Sequence, residues 1–382
     1  MSKRPLLLLL CALLILCLGA ACGQDPRQAA APAPAEAPLP TAEPTVPPSP
    51  VPTPTSTPAP TPTPTPTPTA TPEPTPTPEP TAVPMSDPVI TLAGGEALTV
   101  YAAFTFEDPG VTARDYLGTD LTDRVTVEGT VVPYLVGEYV LSYTVQDDYG
   151  NESAVQRTVS VVPVPLPEIV QPPEKTIYLT FDDGPSDNTA LLLDILKKYD
   201  IKATFFVVGV RRRKDMITRA YEEGHTIGVH TYTHNYHQIY AGEDAFFQDF
   251  LATQEVIYEQ TGQYASIFRF PGGSANGVSY HCRGIMTRLS KIMEDMGYRY
   301  FDWTASASDA NSEHAQWNAK RFSGIIRSKV KRDGSPTVVL QHDLNRESIL
   351  ALELFIPWAL ENGYTFLPLD MTSPVIHSEI KN

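Results

Sequence analysis

Residues 175–209 read KTIYLTFDDGPSDNTALLLDILKKYDIKATFFVVG, and this stretch decides the fold of the longer part of the chain. Ile177 to Phe181 is a short apolar run of strand formers, Thr189 to Tyr199 carries leucines at helical spacing, and Ala203 to Val208 is again an apolar strand run. Strand, helix, strand is the unit of a parallel sheet covered by helices. The alternation continues. Further strands are predicted at Thr226 to Val229, Ile267 to Phe270, Tyr298 to Trp303, Thr337 to Leu340 and Tyr364 to Leu367. Helices are predicted at Asp215 to Glu223, Ala245 to Gln260, Ile285 to Met296, Ala319 to Val330 and Ser348 to Asn362. Seven strands favour a barrel over a doubly wound sheet, and no Gly-rich phosphate loop follows the first of them.

What does follow is Asp182-Asp183-Gly184-Pro185, and beyond the third strand stand His230 and His234. Two imidazoles and a carboxylate form a three-ligand set for a catalytic Zn²⁺-type ion, and the spare carboxylate can take a proton from water. Arg269 ends the fourth strand, and Asp309 and His342 follow the fifth and sixth. In a parallel barrel all these points converge on the C-terminal rim. Singly, each has a plain structural explanation: a capping turn for the Asp pair, surface histidines, an ion pair for Arg269, a loop end for His342-Asp343. Their joint recurrence at strand ends is what points to a metal site.

The N-terminal part is organised differently. Met1 to Cys22 has a basic start, an apolar run from Leu6 to Leu18 and small residues before Cys22, the layout of a signal peptide (1–22). The small residues before Cys22 resemble a bacterial lipobox, with Gly19 where a large aliphatic residue is usual, so Cys22 is the expected lipid site and ordinary secretion the alternative. Residues 23–86 form a Pro/Thr-rich linker, and Ala31 to Pro84 holds 22 of the 38 prolines. Such chain is extended, and at ~3.1 Å per residue its reach is on the order of 150 Å. Residues 87–163 then alternate with period two, strands being predicted at Val89 to Leu92, Leu98 to Tyr101 and Val125 to Val127. A hairpin from Tyr139 to Val161 turns at Asp147 to Asn151. Short strands at this spacing suit a small immunoglobulin-type sandwich. A second Pro-rich joint, 164–174, leads into the barrel, 175–372, with 373–382 as a tail. Only Cys282 lies in the folded part, which argues for domains that are stable without disulfides. The net charge of −16, from 44 acidic and 28 basic residues, and the absence of a long Lys/Arg block argue against nucleic acid or anionic lipid headgroups as partners.

Two resemblances add to this. FEDPGVTARDYLGTDLTDRVTVEGTV, VGEYVLSYTVQDDYGN and RTVSVV resemble the Ig-like repeats of bacterial surface proteins, which implies a spacer or wall-contact module. LTFDDGP, GHTIGVHTYTH, FRFPGG, YFDWTASASDA and VVLQHD resemble the five ordered motifs of the NodB-like polysaccharide deacetylases, carbohydrate esterase family four, over Lys175 to Leu369. That resemblance implies an α/β deformed (β/α) barrel and metal-dependent hydrolysis of N-acetyl groups on amino-sugar polymers, most plausibly peptidoglycan, with an O-acetyl esterase or a silent wall-binding protein as the alternatives. It assigns Asp183, His230 and His234 to the metal, Zn²⁺ first and Co²⁺ or another transition metal next. Asp182 is matched to the general base, Arg269 to its orienting arginine, His342 to the general acid and Asp309 to the partner of that acid. Gly272 matches the oxyanion donor, Leu340 the substrate pocket, and Thr231 a residue behind the metal ligands. Where many relatives have Tyr and Trp this chain has Gly272 and Ala310, so an aromatic groove wall is expected to be lost. A lipid-anchored monomer within the cell wall, acting on cell-wall glycan, completes the expectation.

Overall fold

The computed structural model describes residues 86–278 and 282–381, and residues 84–382 form one compact unit. The signal peptide, Cys22 and nearly all of the Pro/Thr-rich linker lie outside the described residues. No helix among the described residues is long and apolar enough to cross a membrane.

The N-terminal module contains β1 (Val89–Leu92), β2 (Ala97–Tyr101), β3 (Val111–Arg114), β4 (Thr126–Glu128), β5 (Gly137–Gln146) and β6 (Glu152–Val162). One sheet has the order β2-β6-β5-β4 and a second pairs β1 with β3, antiparallel except for β2 on β6. The long β5–β6 hairpin follows directly from its alternation, since Leu141, Tyr143, Val145, Val159 and Val161 all point into the core. Its turn is locked by Asp147, whose Oδ1 accepts from the amides of Tyr149 and Asn151, both at 2.9 Å. β3 was not anticipated, because Val111-Thr112-Ala113-Arg114 is too short and too polar to register as a strand.

The C-terminal part is built on β7 (Thr176–Asp182), α1 (Thr189–Lys198), β8 (Thr204–Val207), α2 (Asp215–Glu222), β9 (Thr226–Val229), α3 (Tyr236–Ile239) and α4 (Glu243–Thr261). It continues with β10 (Ile267–Phe268), α5 (Ile285–Asp295), β11 (Arg299–Tyr300), β12 (Ala305–Ser306), α6 (Ala319–Lys329), β13 (Thr337–His342), α7 (Arg346–Leu350), α8 (Leu352–Glu361) and β14 (Thr365–Phe366). The parallel sheet runs β11-β10-β9-β8-β7-β13-β12, with β14 on the N-terminal end of β7, and it curls into a half-barrel. Every residue of β7 is buried, as expected of a central parallel strand covered on both faces. The strand count is eight rather than seven, because Ala305-Ser306 pairs with Val339-Leu340 although it contains no apolar run.

Two segments differ from their sequence reading. The joint 164–174 is held along the C-terminal part, with Val164 N–H donating to Met296 O (2.8 Å), Arg299 Nη2 to Pro167 O (2.7 Å) and Val170 N–H to Thr372 O (2.8 Å). The tail is also packed: the amide of Asp302 donates to Ile376 O (2.8 Å), and the His377 ring stacks on Tyr300 at 3.7 Å. Both segments recover backbone hydrogen bonds in this way, which polar loop sequences do not reveal. Cys282, expected as a semi-buried thiol, is buried, with Arg288 Nη2 3.3 Å from its sulfur.

Candidate metal centre

The rim begins where β7 ends. Asp182 is the last residue of that strand and register partner of His342, the last residue of β13. The parallel register alone therefore sets these two side by side. Asp183 follows with φ of 70°, and on the histidine loop Thr231 and His234 also have positive φ, 98° and 55°. Three non-glycine residues in this sparsely populated region mark a site held against its local preference.

Asp183, His230 and His234 present ligand atoms that all lie within 4.8 Å of one another. His234 Nε2 is 3.1 Å and His230 Nε2 3.5 Å from Asp183 Oδ1. That oxygen is buried and has no hydrogen-bond partner, an orphan which a cation would satisfy. His230 Nδ1–H donates to the carbonyl of Arg269 (2.9 Å), which leaves the Nε2 lone pair facing the carboxylates. Burial holds the His230 ring at a pKa of about 3, so it is the neutral imidazole a metal requires. The donor set fits a divalent transition-type ion.

Asp182 is buried beside it. Burial raises its pKa, and Arg269 is the strongest opposing influence. Arg269 is itself fully buried and spends its donors on four acceptors: Nη1 reaches Asp182 Oδ1 (2.8 Å) and Thr180 Oγ1 (2.7 Å), Nε reaches Phe301 O (2.8 Å), and Nη2 reaches Asp302 O (3.1 Å). The guanidinium also lies over Phe206 at 4.4 Å. It is a fixed, dry cation whose position selects one oxygen of the carboxylate.

Opposite, His342 Nδ1–H donates to Asp309 Oδ1 (2.9 Å). Asp309 Oδ2 accepts the His342 amide (2.9 Å) and the Ser348 hydroxyl (2.6 Å), so both carboxylate oxygens are engaged. Burial alone would lower the pKa of His342, but the Asp309 hydrogen bond and charge outweigh it and carry the ring to about 9. One rim thus carries a buried neutral imidazole and a half-buried charged one. Asp183, Asp309, Ala310 and His342, together with Ala315 and Leu344 to Arg346, line a groove of about 440 Å³.

The remaining sequence candidates fall outside that lining. Leu340 is buried on β13, opposite Thr180 in register. Thr231 is fully buried, its hydroxyl has no hydrogen-bond partner, and only its carbonyl is used, by Gly209 N–H at 3.1 Å. Gly272 has φ of 77°, and a Cβ there would meet the Tyr236 hydroxyl at 2.8 Å. Tyr236 thus stands beside Gly272, and its ring is edge-on to His234 (5.5 Å).

Several residues escaped the sequence reading. Asp343 is buried against the Asp182-Asp183 turn, accepting from Thr189 Oγ1 and from Ser186 N (3.2 Å). It passes so close to Gly184 that a Cβ there would sit 2.5 Å from its Oδ2. Asp302 accepts from Ser274 N (2.8 Å) and Ser378 N (2.6 Å), tying the loop after Pro271 to the C-terminal segment. Asp249 on α4 binds the histidine loop. Its signal in the sequence was a charge on the face otherwise formed by Phe246, Phe250 and Thr253.

The model of the polysaccharide deacetylase family matches residues 169–301, and that of the bacterial surface protein Ig-like domain matches residues 90–161. A peptidoglycan-N-acetylglucosamine deacetylase of Bacillus cereus is 32% identical over 195 residues, covering 50% of this chain and 68% of the relative. The peptidoglycan-N-acetylglucosamine deacetylase PgdA of Listeria monocytogenes is 31% identical over 218 residues, 54% of this chain and 42% of the relative. Among solved structures, the catalytic domain of a peptidoglycan N-acetylglucosamine deacetylase from Eubacterium rectale superposes with a TM-score of 0.55 at 44% identity, covering 56% of this chain and 98% of that one.

Proposed function

Because the chain belongs to the polysaccharide deacetylase family, we propose that it hydrolyses the N-acetyl groups of N-acetylglucosamine-type residues in peptidoglycan, releasing acetate. The single observation that carries the reading is the division of labour on the rim: the metal-type triad Asp183, His230 and His234 stands with Asp182, clamped by Arg269, and with His342, charged by Asp309.

Asp183, His230 and His234 would hold a divalent ion, Zn²⁺ first and Co²⁺ next, which when bound lowers the pKa of water and polarises a carbonyl. Asp182 is the general base that takes the proton from the attacking water, and Arg269 fixes which of its oxygens does so. A water oxygen adds to the amide carbon. His342, protonated at neutral pH, then gives its proton to the departing sugar nitrogen as the C–N bond breaks. Asp309 holds that imidazolium upright and charged. The backbone N–H of Gly272 is assigned to the developing oxyanion, Leu340 to packing beneath the acetyl pocket, and Thr231 to the folding of the histidine loop.

The wider setting is part of the same proposal. Relatives that act on peptidoglycan support a wall location, and the sequence supports an anchor at Cys22 with the Pro/Thr-rich linker as tether, the enzyme acting as a monomer. The purified full chain with Zn²⁺ should release acetate from peptidoglycan or N-acetylglucosamine oligomers, and Asp182→Asn should abolish release while retaining metal. Acetate released only from O-acetylated glycans would replace the amidase by an esterase. Release from no acetylated glycan would leave a wall-binding protein.

A further inference from the structure

The histidine loop is strained at both Thr231 and His234, yet it is not held by its own side chains alone. Asp249 holds it from α4. Its Oδ1 accepts from the amides of Tyr232 and Thr233, the latter at 3.3 Å, and its Oδ2 accepts from the Thr233 amide (3.1 Å) and hydroxyl (2.6 Å). Asp249 is nearly fully buried, so these loop donors are its partners in place of water. Two successive amides between the two metal-type histidines are thereby fixed by one carboxylate.

The other face of α4 carries a different load. Residues 244, 247, 251 and 255 recur at helical spacing on one side, and three of them meet the Ig-like module. Tyr134 stacks flat on Phe247, with ring centroids 4.4 Å apart and planes 8° from parallel, and its hydroxyl donates to Asp244. Thr105 donates to Glu255, and the neighbouring Phe104 stacks on Tyr264 at 4.7 Å. Ala102 and Ala103 are fully buried in the same contact. Combined with the pinned joint 164–174, this makes the module a clamp on the outer face of the helix whose inner face fixes the histidine loop.

We infer that Asp249 is a positioning residue for the metal-binding histidines, and that docking of the Ig-like module on α4 sets metal affinity through it. The module is a structural part of the metal centre, beyond any contact it makes with the wall. The inference rests on the metal-site reading above.

The test measures Zn²⁺ binding to the metal-free full chain by chelator competition, with hydrogen exchange at the amides of Tyr232 and Thr233 as a second readout. Asp249→Asn keeps the shape but turns an amide N–H toward the Thr233 donors. Its Zn²⁺ Kd should rise about 10- to 100-fold, as for other residues that orient metal ligands. The paired change Phe104→Ala and Tyr134→Ala should raise Kd about three- to tenfold and speed exchange at both amides, with the melting of the catalytic part unchanged. Tyr134→Phe retains the stack and should stay within about twofold of wild type. If Asp249→Asn does not fold, Thr233→Val, which removes only the hydroxyl bond, should still raise Kd in the same direction. Wild-type affinity in Asp249→Asn, or in Thr233→Val where that variant stands in for it, overturns the positioning role. Unchanged Kd and exchange in the paired variant overturn the role of the module. A wild-type chain that binds no Zn²⁺ would refute the metal site itself, an outcome distinct from both.

Discussion

Replacing Arg269 by Met separates its electrostatic task from its volume. The guanidinium is fully buried and serves four acceptors, so the variant leaves the Asp182 carboxylate buried without its cation and orphans the carbonyls of Phe301 and Asp302. Removing one partner of a buried pair costs about 3–5 kcal/mol, and each orphaned acceptor would add about 1–3 kcal/mol if it stayed dry. These contributions share one site and do not add fully, so a loss of at least about 3 kcal/mol is expected in urea unfolding. The catalytic effect has a definite sign. Burial already raises the pKa of Asp182, and Arg269 is the strongest influence opposing it. Without it the Asp182 pKa rises further, so kcat should fall and the acid limb of the pH–rate profile should move upward. Adding Asp182→Asn to Arg269→Met should return about 1–3 kcal/mol of stability, because the stranded charge is then gone. The assay is acetate release against pH, paired with urea midpoints. An Arg269→Met protein within about 1 kcal/mol of wild type, with its acid limb unmoved, would refute the assignment of Arg269 as the clamp of the base.

Four further outcomes follow from the same geometry. Asp309→Asn removes the hydrogen bond and charge that carry His342 to about 9, so the alkaline limb of kcat should shift to lower pH; a limb left in place would mean that His342 is not the acid. In wild type the His342 contribution to stability is full below pH 6.5 and lost as pH rises through about 9, which urea midpoints can follow. Asp343 has its pKa raised by burial to about 6, so its contribution is greatest below pH 3.8 and lost as pH rises through 6; in metal-free Asp343→Asn that decline should vanish from the urea midpoints. Gly272→Ala, with φ of 77° and a Cβ against the Tyr236 hydroxyl, should cost about 1–3 kcal/mol in thermal unfolding, and Tyr236→Phe should restore only the steric part.

Strand ends were legible because burial on both faces writes a strand as an apolar run. The seven buried residues of β7 deliver Asp182 to the rim, and the like register of β13 delivers His342 beside it. β12 was not legible, since Ala305-Ser306 is held by pairing with Val339-Leu340 and not by its own composition. The joint 164–174 and residues 376–378 were hidden for a related reason. Their hydrogen bonds run to Met296, Arg299, Thr372 and Asp302, partners distant in sequence that no local pattern can announce.

The groove shows where motif reading stops. Gly272 and Ala310, taken one position at a time, read as losses of aromatic wall, and at Ala310 the groove is indeed lined by a methyl group. At Gly272 the space a side chain would enter is bordered by an element the motif does not contain. Tyr236 borders it from α3, next to the histidine loop, and its hydroxyl lies 2.8 Å from where a Cβ on Gly272 would stand. The two positions compete for the same space, since a side chain at 272 would meet Tyr236. Glycine at 272 is thus the complement of tyrosine at 236. The Tyr236 ring of this pair stands edge-on to His234, on the metal side of the rim.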